Sequence, residues 1–142
     1  MNLSELKKSG KLKEIPVDKI QIESLAKVAK RDLKVAEGLL NNSLDWCYVT
    51  SYNSMLQISR ALMFSYGYTA QAEEHHKTVV EFVRAILGET ELTNTLDRMR
   101  RKRHNVTYDE ADTVSEYEAK HALETARKYI GIIEKRIGER SK

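Results

Sequence analysis

The chain has 142 residues and a formal net charge of +3, with 41% apolar and 32% charged residues, the composition of one water-exposed globular domain. Its six glycines and single proline are too few for the frequent tight turns of a small all-β protein, so long helices are favoured. No window approaches the roughly 18 apolar residues of a membrane span, and residues 1–14 lack the apolar run of a secretory signal.

The first half of the chain predicts one short and two long helices. We expect a turn or two of helix over residues 3–8, then a long helix with Pro16 in its first turn that runs to about Asn41. Apolar residues at steps of three and four give this helix one apolar stripe, with Asp32 beside it. A second long helix is predicted over residues 45–66 and is ended by Gly67.

The second half predicts a polar linker over residues 69–72, a third helix over 73–87 and a short fourth segment capped by Thr90. A loop is expected over residues 105–113. Ser115 has capping-box spacing and opens a last helix to about residue 137, with a heptad seam. The fold class is therefore all-α with no strands. We expect one domain over residues 1–142, an antiparallel up-and-down four-helix bundle with a short extra N-terminal helix and a short fourth-segment helix.

The sequence offers few ligands for a metal ion. Cys47 is the only cysteine, which excludes a disulfide framework and a multi-Cys zinc site. His75 and His76 are adjacent, so on a helix they point about 100° apart, and no HExxH motif is present. No glycine-rich phosphate loop is present. With no multi-Cys zinc site, no HExxH motif and no phosphate loop, we expect no metal, no cofactor and a location in the reducing cytoplasm.

Residues 98–104, which we call the basic cluster, are the most informative stretch. They read RMRRKRH, with five Lys or Arg and no acid, on a body that is otherwise slightly acidic. Such a cluster is either a solvated basic helix end or the contact for a localised anionic partner. An arginine can stabilise charge on a phosphate, and a histidine or tyrosine can move the proton of a ribose 2′-hydroxyl.

Segments of every long predicted helix carry a family pattern, in order along the chain. They are residues 29–33 (AKRDL), 48–57 (YVTSYNSMLQ), 60–62 (RAL), 67–68 (GY), 76–82 (HKTVVEF), 98–109 (RMRRKRHNVTYD) and 118–119 (EA). The pattern resembles the HEPN superfamily (higher eukaryotes and prokaryotes nucleotide-binding), small helical bundles of bacteria and archaea.

This resemblance implies a metal-independent endoribonuclease in many members, with a signature of Arg, four to six residues, and His. Two registers of that signature are open. Arg103 as the signature arginine puts Tyr108 at the position of the histidine and His104 in the polar slot after the arginine, and it better matches the flanking residues. Arg98 as the signature arginine makes His104 the histidine. The catalytic candidates are therefore Arg98, Arg103, His104 and Tyr108.

Two further sets complete the candidate site: nucleic-acid-binding Arg100, Arg101 and Lys102, and supporting polar Asp32, Asn53 and Asn105. Asp32 and Asn53 lie near apolar stripes on different helices. We interpret them either as one buried hydrogen-bond network or as groups that orient a functional side chain.

Two classes of function remain open. One is an RNA-cleaving, toxin-like enzyme, and the other is a catalytically silent module that binds RNA, a nucleotide or a protein through the same basic cleft. A helical adaptor for a nucleotidyltransferase is a third reading. The resemblance implies a small nucleotidyltransferase as antitoxin partner. It also agrees with the wide apolar arc of the second long helix in predicting a homodimer, and no membrane partner is expected.

Overall fold

A computed structural model describes residues 1–71 and 75–141, which form six helices and two short strands. The helices are α1 (Leu3–Lys8), α2 (Lys19–Leu39), α3 (Leu44–Ser65), α4 (His75–Leu87), α5 (Glu91–Tyr108) and α6 (Glu116–Arg140). The strands are β1 (Leu12–Glu14) and β2 (Tyr68–Ala70). The all-α class is confirmed. None of the described helices has the length and apolar character needed to cross a lipid bilayer.

The expectation of no strands is wrong, because the chain turns back directly after α3. Gly67 has a φ of +84°, which glycine adopts without steric cost, and its carbonyl accepts a hydrogen bond from the backbone N–H of Ile15 at 2.9 Å. Strand β2 then pairs antiparallel with β1, with Thr69 opposite Lys13. The predicted linker over residues 69–72 is thus strand at its beginning. Residue 72 and the predicted start of the third helix at residue 73 lie outside the described residues.

Capping side chains explain where the helices begin. Helix α2 does not include Pro16. The Asp18 carboxylate caps the helix by accepting the backbone N–H of Ile20 at 2.9 Å, so the helix begins at Lys19, three residues after the proline. The capping box predicted at Ser115 is confirmed, since Ser115 and Glu118 exchange side-chain and backbone hydrogen bonds.

The four longest helices alternate in direction. Lys30 pairs with Glu134 and Glu37 with Arg127, so α2 and α6 are antiparallel. Ser65 accepts a hydrogen bond from Arg140, and Ser59 lies further from the end of α3 opposite Tyr129, so α3 and α6 run in the same direction. Helix α5 comes between α3 and α6 along the chain and runs in the opposite direction to both. Helix α4 is an additional helix that packs against α3 and α5.

The predicted fourth segment, which was expected to be short, is the long helix α5, and the shorter of the two neighbouring helices is α4. Helix α5 has 18 residues and α4 has 13. Residues 105–108 continue α5 where a loop was predicted. Asn, Val and Thr are weak helix formers, but Val106 is buried, and its packing outweighs that local preference.

Helix α3 is the centre of the core. Its wide apolar arc, from which a homodimer was predicted, is buried by the described residues of a single copy of the chain, so the arc leaves no apolar face for a second copy, and Cys47 lies within it. The neighbouring helices each add fully buried side chains, among them Ala36 of α2, Phe82 of α4, Leu96 of α5 and Ile133 of α6. This packing fixes α4 and α5 side by side, and the candidate site lies between them.

Candidate nucleic-acid interface

Helix α5 carries the basic cluster between two grooves. The first, here called the α4–α5 groove, has a volume of about 570 Å³. The second, the α5–α6 groove, has a volume of about 580 Å³. Arg101 and Asn105 line both, so the exposed edge of α5 is a ridge that separates them.

The α4–α5 groove is lined by four Lys or Arg residues and three histidines, with no acidic lining residue among those that the structure describes. Helix α4 supplies its first turn and α5 its last two turns, and the lining residues are His75, His76, Lys77, Arg100, Arg101, Arg103, His104 and Asn105. The groove is therefore suited to an anion.

The arginines of this groove differ in how strongly they are neutralised. Arg100 Nε donates to Asp97 Oδ1 at 2.9 Å, and Arg101 Nη2 lies 3.6 Å from Asp97 Oδ2. Arg103 has no carboxylate partner within residues 1–71 and 75–141, and its buried Nε has no hydrogen-bond partner there. Its guanidinium carbon lies 5.8 Å from the centre of the Tyr108 ring. Arg103 is thus the groove arginine with the greatest capacity to bind an incoming anion.

His76 contacts the central helix α3 through Tyr52. Its Nδ1 lies 2.9 Å from the hydroxyl of Tyr52, and the two rings stack with centroids 5.7 Å apart. Burial, followed by the charge of Arg103, lowers the pKa of His76 to about 4. Burial and the charge of Arg60 also lower the pKa of His75. Both imidazoles are therefore neutral at pH 7.

The end of α5 brings three of the catalytic candidates together. His104 follows Arg103 directly and is exposed, and its ring centroid lies 5.1 Å from that of Tyr108. Tyr108 is 65% exposed and also lies against the Arg103 guanidinium. A guanidinium, an imidazole and a phenol thus share one accessible surface.

Arg98 and Lys102 lie on the other side of α5. Arg98 donates to Thr95 Oγ1 at 2.9 Å and pairs with Glu91 at 3.3 Å. Lys102 pairs with Glu118 and lies over the Tyr48 ring. Both line the α5–α6 groove, together with Glu110 and Glu118. The Arg98–His104 register therefore joins residues that line different grooves.

The supporting polar residues are dispersed. Asp32 accepts two hydrogen bonds from its neighbour Arg31, at 3.1 and 2.9 Å. Within the described part of the chain no hydrogen bond joins it to Asn53, so the expected shared network is not formed, because Arg31 already satisfies the carboxylate. Of the three, Asn105 alone lines the grooves.

No pattern in the sequence predicted that α4 would form one wall of the site. The histidine pair, His75 and His76, was weighed only as a metal site, and residues 76–82 entered only the family pattern, without a predicted role in binding. The available signal was a pair of histidines followed by a lysine at the start of a helix. Their relevance depends on α4 packing beside α5, which no local pattern reports. No group of three His, Cys, Asp or Glu side chains suited to a metal ion occurs within residues 1–71 and 75–141.

Comparison with known proteins agrees with the family pattern seen in the sequence. A search of curated proteins returned no match. The family model described as HEPN domain matches residues 22–136, a span that runs from α2 into α6 and includes both walls of the α4–α5 groove. Because this match covers most of the chain, the protein belongs to the HEPN domain family.

Proposed function

We propose that the α4–α5 groove binds the phosphate backbone of RNA. The observation that carries the proposal is the composition of the groove: four of its eight described lining residues are Lys or Arg, three are histidines and none is acidic. HEPN domains have functions related to nucleotides and RNA, so the proposal identifies where such a ligand is held in this chain.

Within the groove, Arg103 is the principal phosphate ligand. A guanidinium donates several hydrogen bonds in a fixed plane and binds a phosphate at two oxygens. Arg100 and Arg101 share Asp97, so they add to the electrostatic field more than to any single contact. Lys77 of α4 adds a further positive charge to the groove.

We also propose RNA cleavage without a metal ion, since His104 lies exposed beside Arg103. In this reaction the ribose 2′-oxygen bonds to the adjacent phosphorus as the bond from phosphorus to the 5′-oxygen breaks. The 2′-hydroxyl proton passes to His104, and the 5′-oxygen takes a proton from Tyr108 or from water, leaving a 2′,3′-cyclic phosphate and a 5′-hydroxyl. Arg103 stabilises the charge that develops on the phosphate oxygens.

The biological setting proposed here follows the family. Two copies of the chain form a homodimer that lines one cleft, in the cytoplasm, and a small nucleotidyltransferase acts as the antitoxin. Growth arrest on expression of the chain alone, relieved by co-expression of a nucleotidyltransferase encoded beside it, would support the toxin role. Normal growth at a verified level of folded protein would contradict it.

The binding proposal is tested with a fluorescein-labelled oligouridylate, by anisotropy over a series of salt concentrations. The affinity should fall steeply as salt rises, because each phosphate contact releases counterions. Arg31→Ala is the matched control, since Arg31 is an exposed arginine on α2 outside both grooves. Binding that is insensitive to salt, or equally weakened by Arg31→Ala and Arg103→Ala, would contradict the proposal.

A further inference from the structure

The hydrogen bond between Tyr52 and His76 links the core to the α4–α5 groove. Tyr52 is fully buried, and its hydroxyl lies 2.9 Å from His76 Nδ1. His76 is half-buried and lines the groove beside Arg100 and Arg103. One edge of the imidazole is thus bound to the core while the ring itself forms part of the groove wall.

The direction of this hydrogen bond follows from burial. His76 Nδ1 is the only hydrogen-bond partner of the Tyr52 hydroxyl within residues 1–71 and 75–141, and a buried O–H that donates to nothing is costly. Burial also raises the pKa of Tyr52, so the hydroxyl keeps its proton at pH 7. Tyr52 is therefore the donor and Nδ1 the acceptor. A neutral imidazole that accepts at Nδ1 carries its own proton on Nε2.

We infer that His76 binds a phosphate oxygen of RNA as a neutral imidazole, donating from Nε2, and that Tyr52 fixes the tautomer that allows this. The inference rests on the proposed function, because it names one contact in the same groove. His76 is a binding residue in this account, and Tyr52 is a positioning residue that acts through it.

The surrounding charges favour a neutral donor over a cationic one. Burial comes first, and the charges of Arg103, Arg100 and Arg60 also oppose a positive charge on His76. A neutral N–H, in contrast, adds a hydrogen bond to the phosphate without adding to that repulsion. It also releases no counterion of its own, so its contribution to affinity should be independent of salt.

The test measures the affinity for the labelled oligouridylate at several salt concentrations, with four variants. His76→Ala should weaken binding by about tenfold, the effect of one hydrogen bond to a charged group, and should leave the salt slope unchanged. His76→Gln should retain most of the affinity, because its amide N–H reaches the position of Nε2. Arg103→Ala should reduce the slope by about one. His121→Ala, a histidine on α6 outside the α4–α5 groove, should bind as the wild type does.

A second measurement reads the tautomer directly and needs no RNA. In the ¹⁵N spectrum at pH 7, Nε2 of His76 should be protonated and Nδ1 unprotonated, and Tyr52→Phe should remove the preference. Circular dichroism establishes that each variant is folded, and His76→Gln provides a conservative variant if His76→Ala is not.

The outcomes separate this inference from the function on which it rests. Absence of RNA binding by the wild-type protein would overturn both. Salt-dependent wild-type binding that is unaffected by His76→Ala would overturn the inference and leave the proposed function intact. A salt slope reduced by about one in His76→Ala would also overturn it, since the residue would then bind as a cation, and so would a proton on Nδ1.

Discussion

The two grooves beside α5 have nearly equal volumes and draw on the same basic cluster, yet they differ in charge. The α4–α5 groove has basic walls without a described acidic lining residue. In the α5–α6 groove, Glu118 pairs with Lys102, and Glu110 adds a second carboxylate. Arg98 there is paired with Glu91, whose carboxylate lies on the same helix. The positive charge of the cluster is therefore available mainly on one side of α5.

This difference shows that a run of charge along a sequence is not a patch of charge on a surface. Helical geometry turns successive residues by about 100°, so five cations in seven positions are distributed between two faces. The neighbours of each face then decide its charge. Helix α4 brings three basic residues to one side, and α6 brings an acid to the other.

The largest expected effect is on the rate of RNA cleavage, which should depend on a histidine of the α4–α5 groove and not on one of the α5–α6 groove. His104→Ala should lower the rate of RNA cleavage in EDTA by a factor of about 10² to 10⁴, the usual cost of losing a general acid or base. The affinity for RNA should change little. His121→Ala, which removes a histidine from the α5–α6 groove, should leave the rate unchanged. Gel analysis of a labelled oligonucleotide measures both rates.

Two results would contradict this prediction. Full activity of His104→Ala would show that another group transfers the proton, and Tyr108→Phe would then test the phenol. Equal losses in His104→Ala and His121→Ala would show that reactivity does not distinguish the two grooves.

The next largest effect is on the affinity for RNA, which should depend more on the α4–α5 groove than on the α5–α6 groove. Arg103→Ala should weaken RNA binding by about tenfold or more, because hydrogen bonds to a charged group are worth about 1.5–3 kcal/mol. Arg98→Ala should have a smaller effect, since Arg98 is already engaged by Glu91 and Thr95. Titrations of both variants at one fixed salt concentration measure the difference. A larger loss for Arg98→Ala would place the binding surface in the other groove.

Local signals in the sequence predicted the helices well and their ends less well. Signals that act within a few residues gave correct helix ends. The side chains of Ser115, Glu118 and Thr90 cap helices where expected, and the backbone conformation of Gly67 ends α3 where expected. The continuation of α5 to Tyr108 depends instead on the burial of Val106. The pairing of β1 with β2 joins residues more than fifty positions apart, which no local pattern reports.

The site was predictable only in part for the same reason. The basic cluster and the family pattern identified α5, which supplies Arg103 and His104. The wall formed by His75 and His76, and the support of His76 by Tyr52, depend on how α3, α4 and α5 pack together. The ion pair of Lys102 with Glu118 likewise depends on the approach of α6. Charge pairing between helices is a tertiary property, and counting charges along the chain cannot supply it.

A smaller effect on RNA affinity should follow from reducing the difference in charge between the two grooves. Glu118→Gln removes the carboxylate that pairs with Lys102 and makes the α5–α6 groove more basic. Glutamine preserves the capping box at Ser115, and a partly exposed ion pair contributes only about 0–1 kcal/mol, so the fold should be retained. We expect RNA affinity to rise severalfold at low salt, since a newly available cation adds a phosphate contact.

Lys102→Ala is the matched control for that change. In the wild-type background it should alter affinity little, because Lys102 is already paired, whereas in the Glu118→Gln background it should abolish the gain. Unchanged affinity in Glu118→Gln would indicate that bound RNA does not reach the α5–α6 groove.

The smallest expected effect is a dependence of stability on pH that originates in the α4–α5 groove. His76 has a pKa of about 4 in the folded protein, against an ordinary value of 6.5. Between these values the unfolded chain binds a proton that the folded protein does not, so the free energy of unfolding falls as pH decreases through this window. Above pH 6.5 His76 is neutral in both the folded and the unfolded state, and its full contribution to the free energy of unfolding is present.

His76→Gln cannot titrate, so its Tm should fall less than that of the wild type between pH 7 and pH 5. Arg103→Ala should also raise the pKa of His76, measured by NMR titration, because it removes one of the positive charges that lower it. An equal fall in Tm for wild type and His76→Gln would show that the imidazole is not held neutral by the groove.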